Sequence, residues 1–302
     1  MSFSSDAKAE ICRLKIDRRC CAVAEACGVL LFGNAFASDR IKISTVSLHF
    51  AERLPRLFKK AFGFGFDSVT GDEGKRRIFE ITEPKKLQAV FDECGGDRLR
   101  FLSHHVNFAL LEEEHDRQSF IRGAFLAGGS VNDPAKRYHL ELVTHHYSVS
   151  RETVSLMRDM GFEPGETSRS GNYLVYFKNS EAIADFLTTL GAPVAAMELI
   201  SAKIEKSIAG EVNRRLNCDG ANIDKTIDAA GRQLEAIKIL SERGQLEELG
   251  EKLRYTARMR IENPELSLQQ LAETFQPPVS KSSLSYRLRR LCELAGVDGE
   301  EE

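Results

Sequence analysis

An internal repeat constrains the fold of this chain more than any other feature of its sequence. Gly28 in the first copy corresponds to Gly123 in the second, an offset of 95 residues, and both lie in the same order of predicted elements. The half-repeats span about residues 10–97 and 115–195 of the 302-residue chain. A repeat of this size predicts one supersecondary unit, used twice, that buries its apolar face against its own copy.

Each copy opens with a predicted helix that is rich in small residues. The two segments are CCAVAEACGVLLFGNAF, Cys20 to Phe36, and SFIRGAFLAGGS, Ser119 to Ser130. A strand with much alternation of apolar and polar residues follows each helix. An amphipathic helix, a Gly-containing turn, a second strand and a helix that ends in glycine complete each copy. We therefore predict an α+β duplication that pairs two saddle-like sheets over residues 1–195.

The opening helices resemble the LAGLIDADG helices of homing endonucleases, through AEACGVLLFGN in the first copy and IRGAFLAGG in the second. In that family the small residues let two helices pack closely, and the penultimate acid of each motif holds a catalytic metal. Gly33 and Gly128 stand at that position here. Metal-assisted phosphodiester hydrolysis needs carboxylates to hold Mg²⁺, and glycine supplies no side-chain ligand. We therefore expect no catalytic residues, no metal, no cofactor and no enzyme activity.

Two alternatives for this N-terminal domain stay open. Asp39 and Asp133 lie a few residues after the two motifs, so a metal-dependent DNA endonuclease with displaced ligands is one of them. The strand predicted at 138–147 offers a polar set of mixed charge: His139, Glu141, Thr144 and His145. Because an acid within that set suits phosphate weakly, a surface for a protein co-regulator or a ligand is as good an expectation as DNA contact.

Charge and hydropathy limit the classes of protein to which this chain can belong. The net charge of -3 argues against a protein that coats nucleic acid with its whole surface. Basic charge is instead concentrated in KSSLSYRLRR, residues 281–290, and an acidic tail at 298–302 offsets it. The N-terminus lacks the apolar core of a signal peptide, and no stretch approaches the ~20 apolar residues of a membrane span. We therefore expect a cytoplasmic, nucleoid-associated protein with no membrane contact.

The cysteine pattern predicts no covalent or metal framework. Seven cysteines are widely scattered with no C-x-x-C pair: Cys12, Cys20, Cys21, Cys27, Cys94, Cys218 and Cys292. This pattern indicates neither a disulfide scaffold nor a zinc knuckle. We expect reduced, mostly buried thiols.

Two amphipathic helices are predicted between the repeat and the C-terminus, as a linker over residues 196–243. The segment NCDGAN, residues 217–222, supplies turn and cap residues between them. A polar cluster lies at this break: Arg214, Arg215, Asn217 and Asn222. Loop capping is the simpler interpretation, and phosphate contact is the alternative because arginine and asparagine at a helix end suit anions.

The segment Ser267 to Ala295 predicts a helix-turn-helix within a C-terminal domain over 244–302. Ser267 and Gln270 form a capping box before a short helix, and the prolines of QPPV end that helix. Ser280 caps a second helix. Its leucines recur at intervals of four and three residues and are expected to pack inward: Leu284, Leu288 and Leu291.

The outward side of the second helix carries the predicted DNA contacts. Side chains expected to read base edges are Ser282, Ser285, Tyr286 and Arg289. Side chains expected to contact phosphates are Lys281, Ser283, Arg287 and Arg290. A solvated helix face is the alternative for the arginines, but the caps, the turn and the basic face agree on a DNA-binding helix. The Pro-Pro turn departs from the glycine turn of many such motifs and leaves the helix crossing less defined.

The whole chain resembles the WhiA family of bacterial regulators. The passages that carry the resemblance are FLAGGSVNDP, RRLNCDGAN, RIENPELSLQQLAE and PPVSKSSLSYRLRRL. The resemblance implies a non-catalytic, sequence-specific transcription regulator of double-stranded DNA, linked to sporulation or cell-division genes. The residues alone predict only a DNA-binding regulator, and a protein-interaction module remains the alternative.

Overall fold

The computed structural model describes residues 2–72, 76–96 and 103–297. The chain divides into two compact units, Met1–Ser207 and Ile208–Glu302. The residues of the predicted acidic tail, 298–302, lie outside the described ranges. Over the part of the chain that the structure describes, no helix combines the length and apolar character needed to cross a membrane.

The first unit contains the two predicted copies. The unit begins with the N-terminal helix α1, Phe3–Cys12. The first copy follows, with these elements: α2 Arg19–Leu31, β1 Ala35–Phe36, β2 Ile41–Thr45, α3 Leu48–Phe62, β3 Ser68–Thr70, β4 Arg77–Ile81 and α4 Pro84–Cys94. The second copy repeats the order from its first long helix: α5 Glu114–Gly128, β5 Gly129–Val131, β6 Leu140–Thr144, α6 Tyr147–Asp159, β7 Gly165–Arg169, β8 Asn172–Phe177 and α7 Ser180–Leu190. The predicted duplication is confirmed.

The two sheets have the same topology. Their strand orders are β1-β2-β4-β3 and β5-β6-β8-β7, and every pairing is antiparallel. Central pairs such as Ile43 with Phe79 and Leu142 with Val175 are buried, which places one face of each sheet in the core. The short edge strands were not predicted, because segments of two to five residues are too short for a clear period-2 pattern.

Helices α2 and α5 pack backbone against backbone at the centre of this unit. A Cβ built on Gly28 would collide with the carbonyl oxygen of Phe120 and lie 2.9 Å from the amide nitrogen of Ala124. A Cβ on Gly123 would collide with the carbonyl of Glu25 in the same way. The glycines that align the two copies therefore permit the close approach that the LAGLIDADG resemblance implies.

Cys27 and Cys94 form a disulfide between α2 and the end of α4. The expectation of reduced thiols is wrong for this pair, because the fold joins two cysteines that are 67 residues apart and share no local motif. The expectation of mostly buried thiols is also wrong. The remaining cysteines are Cys12, which is buried, Cys21 and Cys292, which are half-buried, and Cys20 and Cys218, which are exposed.

Helix α8 runs without interruption from Pro193 to Glu242, so the predicted break at 217–222 is wrong. The segment contains one glycine and no proline, and a glycine inside a helix costs only about 1 kcal/mol relative to alanine. Helical spacing of apolar residues also continues across it, at Leu216, Ile223 and Ile227. These effects outweigh the turn preference of asparagine and aspartate.

Among its described residues, the second unit has three further helices: α9 Glu251–Glu262, α10 Leu268–Glu273 and α11 Lys281–Ala295. A short 3₁₀ turn, Gln245–Glu248, precedes α9. Ala236 and Leu240 of α8 join the buried side chains of the later helices in one apolar core. This core fixes α11 with one side inward.

Candidate nucleic-acid interface

Helix α11 begins and ends as its sequence predicts. The Ser280 hydroxyl oxygen accepts a hydrogen bond from the backbone N–H of Ser283 at 3.2 Å, and Gly296 ends the helix with a left-handed φ of 74°. The inward leucines are at most 1% exposed: Leu284, Leu288 and Leu291. The apolar stripe therefore decides which side of α11 faces outward.

The predicted DNA contacts lie on the outward side of α11. Six of them are exposed: Lys281, Ser282, Ser285, Tyr286, Arg289 and Arg290. Ser283 and Arg287 are half-buried at its borders. The structure thus brings all eight residues onto one helix surface, while their roles toward bases and phosphates stay a prediction.

The arginines of this surface have only local partners. Arg289 places its guanidinium 5.8 Å from the ring centre of Tyr286, and its Nε lies 3.6 Å from a carboxylate oxygen of Glu293. Arg290 donates to the other oxygen of Glu293 at 2.9 Å. Exposed ion pairs of this kind are worth about 0–1 kcal/mol, so phosphate can compete for both guanidinium groups.

The turn before α11 is held by caps that the sequence predicted. Ser267 and Gln270 form the capping box: the Ser267 N–H donates to Gln270 Oε1 at 3.1 Å, and the Gln270 N–H donates to Ser267 Oγ at 3.4 Å. The Gln276–Pro277 peptide bond is cis. The Val279 N–H donates to the carbonyl oxygen of Ala272 at 3.1 Å, which closes the turn between α10 and α11.

Arg260 of α9 is a buried structural residue that sequence reasoning missed. It is 1% exposed, and its Nη1 donates to the carbonyl oxygens of Leu266 at 2.8 Å and Asn263 at 3.4 Å. Burial lowers the pKa of its guanidinium. The sequence feature that could have indicated its burial is its position three residues after Ala257, on the inward side of α9.

The polar cluster of the middle region lies on a continuous helix instead of at a helix end. Its members are exposed side chains of α8: Arg214, Arg215, Asn217 and Asn222. Their proposed phosphate contacts therefore have no support from a helix terminus and stay a prediction. Asn222 does line a cleft together with Lys225, Gln269 and Lys281, so it shares a surface with the start of α11.

The C-terminal ends of α2 and α5 have no room for the acids of an endonuclease. A Cβ on Gly128 would lie 2.5 Å from the carbonyl oxygen of Val143 and 2.9 Å from that of Phe32. Asp133, a proposed substitute ligand, accepts a hydrogen bond from the Ala135 N–H at 2.8 Å within its own loop. Within the described ranges, one group of three or more candidate metal ligands converges, and it lies at the opposite ends of these helices.

The outer faces of the sheets carry paired charges. Arg40 forms an ion pair with Glu80 and lowers the pKa of that carboxyl by a hydrogen bond, and His139 Nε2 lies 3.1 Å from Glu141 Oε2. Thr144 is buried and donates to the carbonyl oxygen of Leu31 at 2.9 Å, so its predicted place on the saddle surface is wrong. Because each outer face carries an acid, neither sheet is well suited to bind phosphate.

His104 and His146 lie in contact, although they are distant in the sequence. The rings of His104 and His146 have centroids 4.1 Å apart, and His104 also stacks on Phe36. Burial, with a smaller effect of His146, lowers the pKa of His104 to about 4. Burial also lowers the pKa of His146. Sequence reasoning missed this contact because 42 residues separate the two rings along the chain.

Comparison with known proteins finds family matches in both units. A family model described as WhiA LAGLIDADG-like domain matches residues 117–209, and one described as WhiA C-terminal HTH domain matches residues 212–295. Proteins named "Probable cell division protein WhiA" from Ruminiclostridium cellulolyticum and Alkaliphilus oremlandii are 33% and 35% identical. Each alignment covers 98% of this chain and 97% of the relative.

Solved structures agree with this assignment. Full-length DUF199/WhiA from Thermatoga maritima is 25% identical, with a TM-score of 0.59 and full coverage of both chains. The N-terminal LAGLIDADG domain of DUF199/WhiA is 20% identical with a TM-score of 0.50, and covers 63% of this chain and 92% of that one. The second likeness supports the fold of the duplicated unit.

Proposed function

Because this chain belongs to the WhiA family, we propose that it is a sequence-specific, DNA-binding transcription regulator that reads double-stranded DNA through α11 and performs no catalysis. The observation that carries the proposal is the outward surface of α11. This helix is capped, follows a tight turn and packs its apolar side against the core. Its other side exposes serine, tyrosine and arginine side chains to solvent, which suits insertion into the major groove.

The outward side chains divide by position along α11. Ser282, Ser285 and Tyr286 lie in its first two turns, near the end that enters the groove in helix-turn-helix proteins. Arg289 follows one turn later and can reach a guanine edge with two hydrogen bonds. The remaining basic or hydroxyl side chains border this set and are placed for phosphates: Lys281, Ser283, Arg287 and Arg290.

The duplicated unit supports regulation better than DNA cutting. Its motif ends are closed to carboxylates at Gly128, and Arg40 beside the first sheet is already paired with Glu80. We assign it a docking role for a protein co-regulator. The names of the relatives point to cell-division genes as targets, and the family resemblance adds sporulation genes. Such a regulator would act on the nucleoid, in the cytoplasm.

Selection of genomic DNA fragments by the purified full chain, at near-physiological salt and with sequencing of the retained DNA, tests this proposal. One short enriched motif is expected for the parent, and Arg289→Ala should lose that motif while it retains weak general binding. Arg258→Ala is the matched control, because it removes an exposed arginine of α9 in the same unit. Absence of salt-sensitive duplex binding would favour a protein-interaction module instead, and metal-dependent cleavage of plasmid DNA would favour the endonuclease.

A further inference from the structure

Four potential metal ligands converge at the N-terminal ends of the two central helices. Cys20 and Cys21 lie in the first turn of α2, and His115 and Asp116 lie in the first turn of α5. Their ligand atoms all lie within 4.8 Å of one another. The Cys21 sulfur is 3.7 Å from His115 Nδ1, which is 3.0 Å from Asp116 Oδ1. The group joins the two copies of the repeat at the ends opposite Gly33 and Gly128.

Asp116 provides an independent sign of a missing partner. The residue is only 6% exposed, yet its Oδ1 has no hydrogen-bond partner. His115 Nδ1 is near this oxygen but lies outside hydrogen-bonding geometry. A buried carboxylate oxygen without a partner carries a large desolvation cost, which a cation at this position would remove.

The donor set and its spacing fit zinc. Two sulfurs, an imidazole nitrogen and a carboxylate oxygen are ligands that Zn²⁺ accepts in tetrahedral sites. With Zn–S near 2.3 Å and Zn–N or Zn–O near 2.0–2.2 Å, ligand atoms around a tetrahedral ion lie about 3.3–3.8 Å apart. The observed separations need small side-chain adjustments to reach these values. Cys20 is exposed, so an ion can enter from solvent.

We propose that Cys20, Cys21, His115 and Asp116 bind one zinc ion that ties the N-terminal ends of α2 and α5 together. Four protein ligands leave no open position, so the ion is structural. The positive ends of two helix dipoles and the cation offset the charge of two thiolates and one carboxylate. Zinc binds cysteine as the thiolate, so binding of the ion releases the protons of both thiols.

Metal analysis of the full chain tests the site. The protein is purified under reductant without a metal-affinity tag, and its zinc content is measured by mass spectrometry, with far-UV circular dichroism as a check on folding. One zinc per chain is expected, and replacement by Co²⁺ should give a thiolate-to-cobalt charge-transfer band. Removal of the ion by a chelator should lower the melting temperature.

Paired variants separate this site from adventitious binding. Cys20→Ser and the isosteric Asp116→Asn should each weaken Co²⁺ affinity at least about tenfold. Cys218→Ser and Glu114→Gln are the matched controls, because they remove an exposed thiol on α8 and a second carboxylate in the first turn of α5. Absence of zinc and of the cobalt band in reduced, folded protein would overturn the proposal. Unchanged affinity in both site variants, or recovery of a Cys20–Cys21 disulfide from cells, would do the same.

Discussion

Arg53 on α3 and Glu25 on α2 form a buried, bidentate ion pair. Arg53 Nε lies 2.6 Å from Glu25 Oε1 and Arg53 Nη2 lies 2.7 Å from Glu25 Oε2, and both side chains are 2% exposed. Arg53 Nη1 also donates to the carbonyl oxygens of Cys12 and Leu14. The pair therefore connects α1, α2 and α3 through a single guanidinium group.

Removal of one member of this pair should strongly destabilise the first unit. Arg53→Met leaves the Glu25 carboxylate buried without its cation, and a loss of about 3–5 kcal/mol in the free energy of unfolding is expected. Urea denaturation followed by circular dichroism measures it. Arg56→Ala is the control, since it removes an exposed arginine from the same helix. A double variant with Glu25→Leu should recover part of the loss. A single-variant loss no larger than that of Arg56→Ala would contradict this account.

Gly123→Ala should disrupt the contact between α2 and α5. The added methyl group would overlap the carbonyl of Glu25, which belongs to a rigid helix backbone and cannot rotate away. We expect the free energy of unfolding to fall by about 1–3 kcal/mol because of overpacking. Gly231→Ala, in an open position of α8, should instead be neutral or stabilising by up to about 1 kcal/mol. Thermal unfolding compares the stabilities of the two variants. Equal changes in stability would show that α2 and α5 can move apart to accommodate the added methyl group.

Restoration of the endonuclease acid should not restore cleavage. Gly128→Asp places a Cβ 2.5 Å from the carbonyl oxygen of Val143, so the carboxylate cannot take the position that a metal requires without displacing β6. The double variant with Gly33→Asp should be destabilised and inactive on plasmid DNA in the presence of Mg²⁺ or Mn²⁺. Metal-dependent nicking by this variant, absent from the parent, would show that the site had lost only its ligands.

The stability of the first unit should fall in mild acid because of His104. Its folded-state pKa of about 4 lies below the ordinary histidine value of 6.5, so the unfolded chain binds more protons between these pH values. The contribution of the neutral, buried ring is complete above pH 6.5 and is lost as the pH falls toward 4, by up to about 3 kcal/mol.

Denaturation of His104→Gln at several pH values measures this effect. The free energy of unfolding should depend less steeply on pH between 6.5 and 4 than it does in the parent. His49→Gln is the control, because it removes a half-buried histidine on α3 and leaves the His104–His146 contact intact. Parallel pH profiles for the parent and His104→Gln would mean that the ring does not titrate in this range.

Two substitutions on α11 should separate sequence reading from phosphate contact. Arg289→Ala should reduce discrimination at one base pair by about 1–3 kcal/mol, because a base-edge contact is lost. Lys281→Ala should weaken specific and random DNA similarly and lower the salt slope by about 1, because one fewer counterion is released. Salt titrations on an enriched motif and on random duplex measure both quantities. Equal losses on the two DNAs for both variants would reject this division.

Local sequence patterns predicted the element order of both copies and the limits of α11. The offset between Gly28 and Gly123 gave the duplication, and the caps at Ser267 and Ser280 placed α10 and α11 within one residue of their observed starts. The same local approach failed at 217–222, where turn-forming residues occur inside one helix. It also missed the short edge strands, whose pairing depends on a neighbouring strand.

By itself, the sequence determined the repeat, the helical stripes and the outward side of α11, because these depend on residues within a few positions of one another. Only the tertiary structure decided which distant side chains meet. The Glu25–Arg53 pair, the Cys27–Cys94 disulfide and the contact of His104 with His146 join residues that are 28 to 67 positions apart. Their positions depend on how helices pack, and one sequence carries no periodic signal for that.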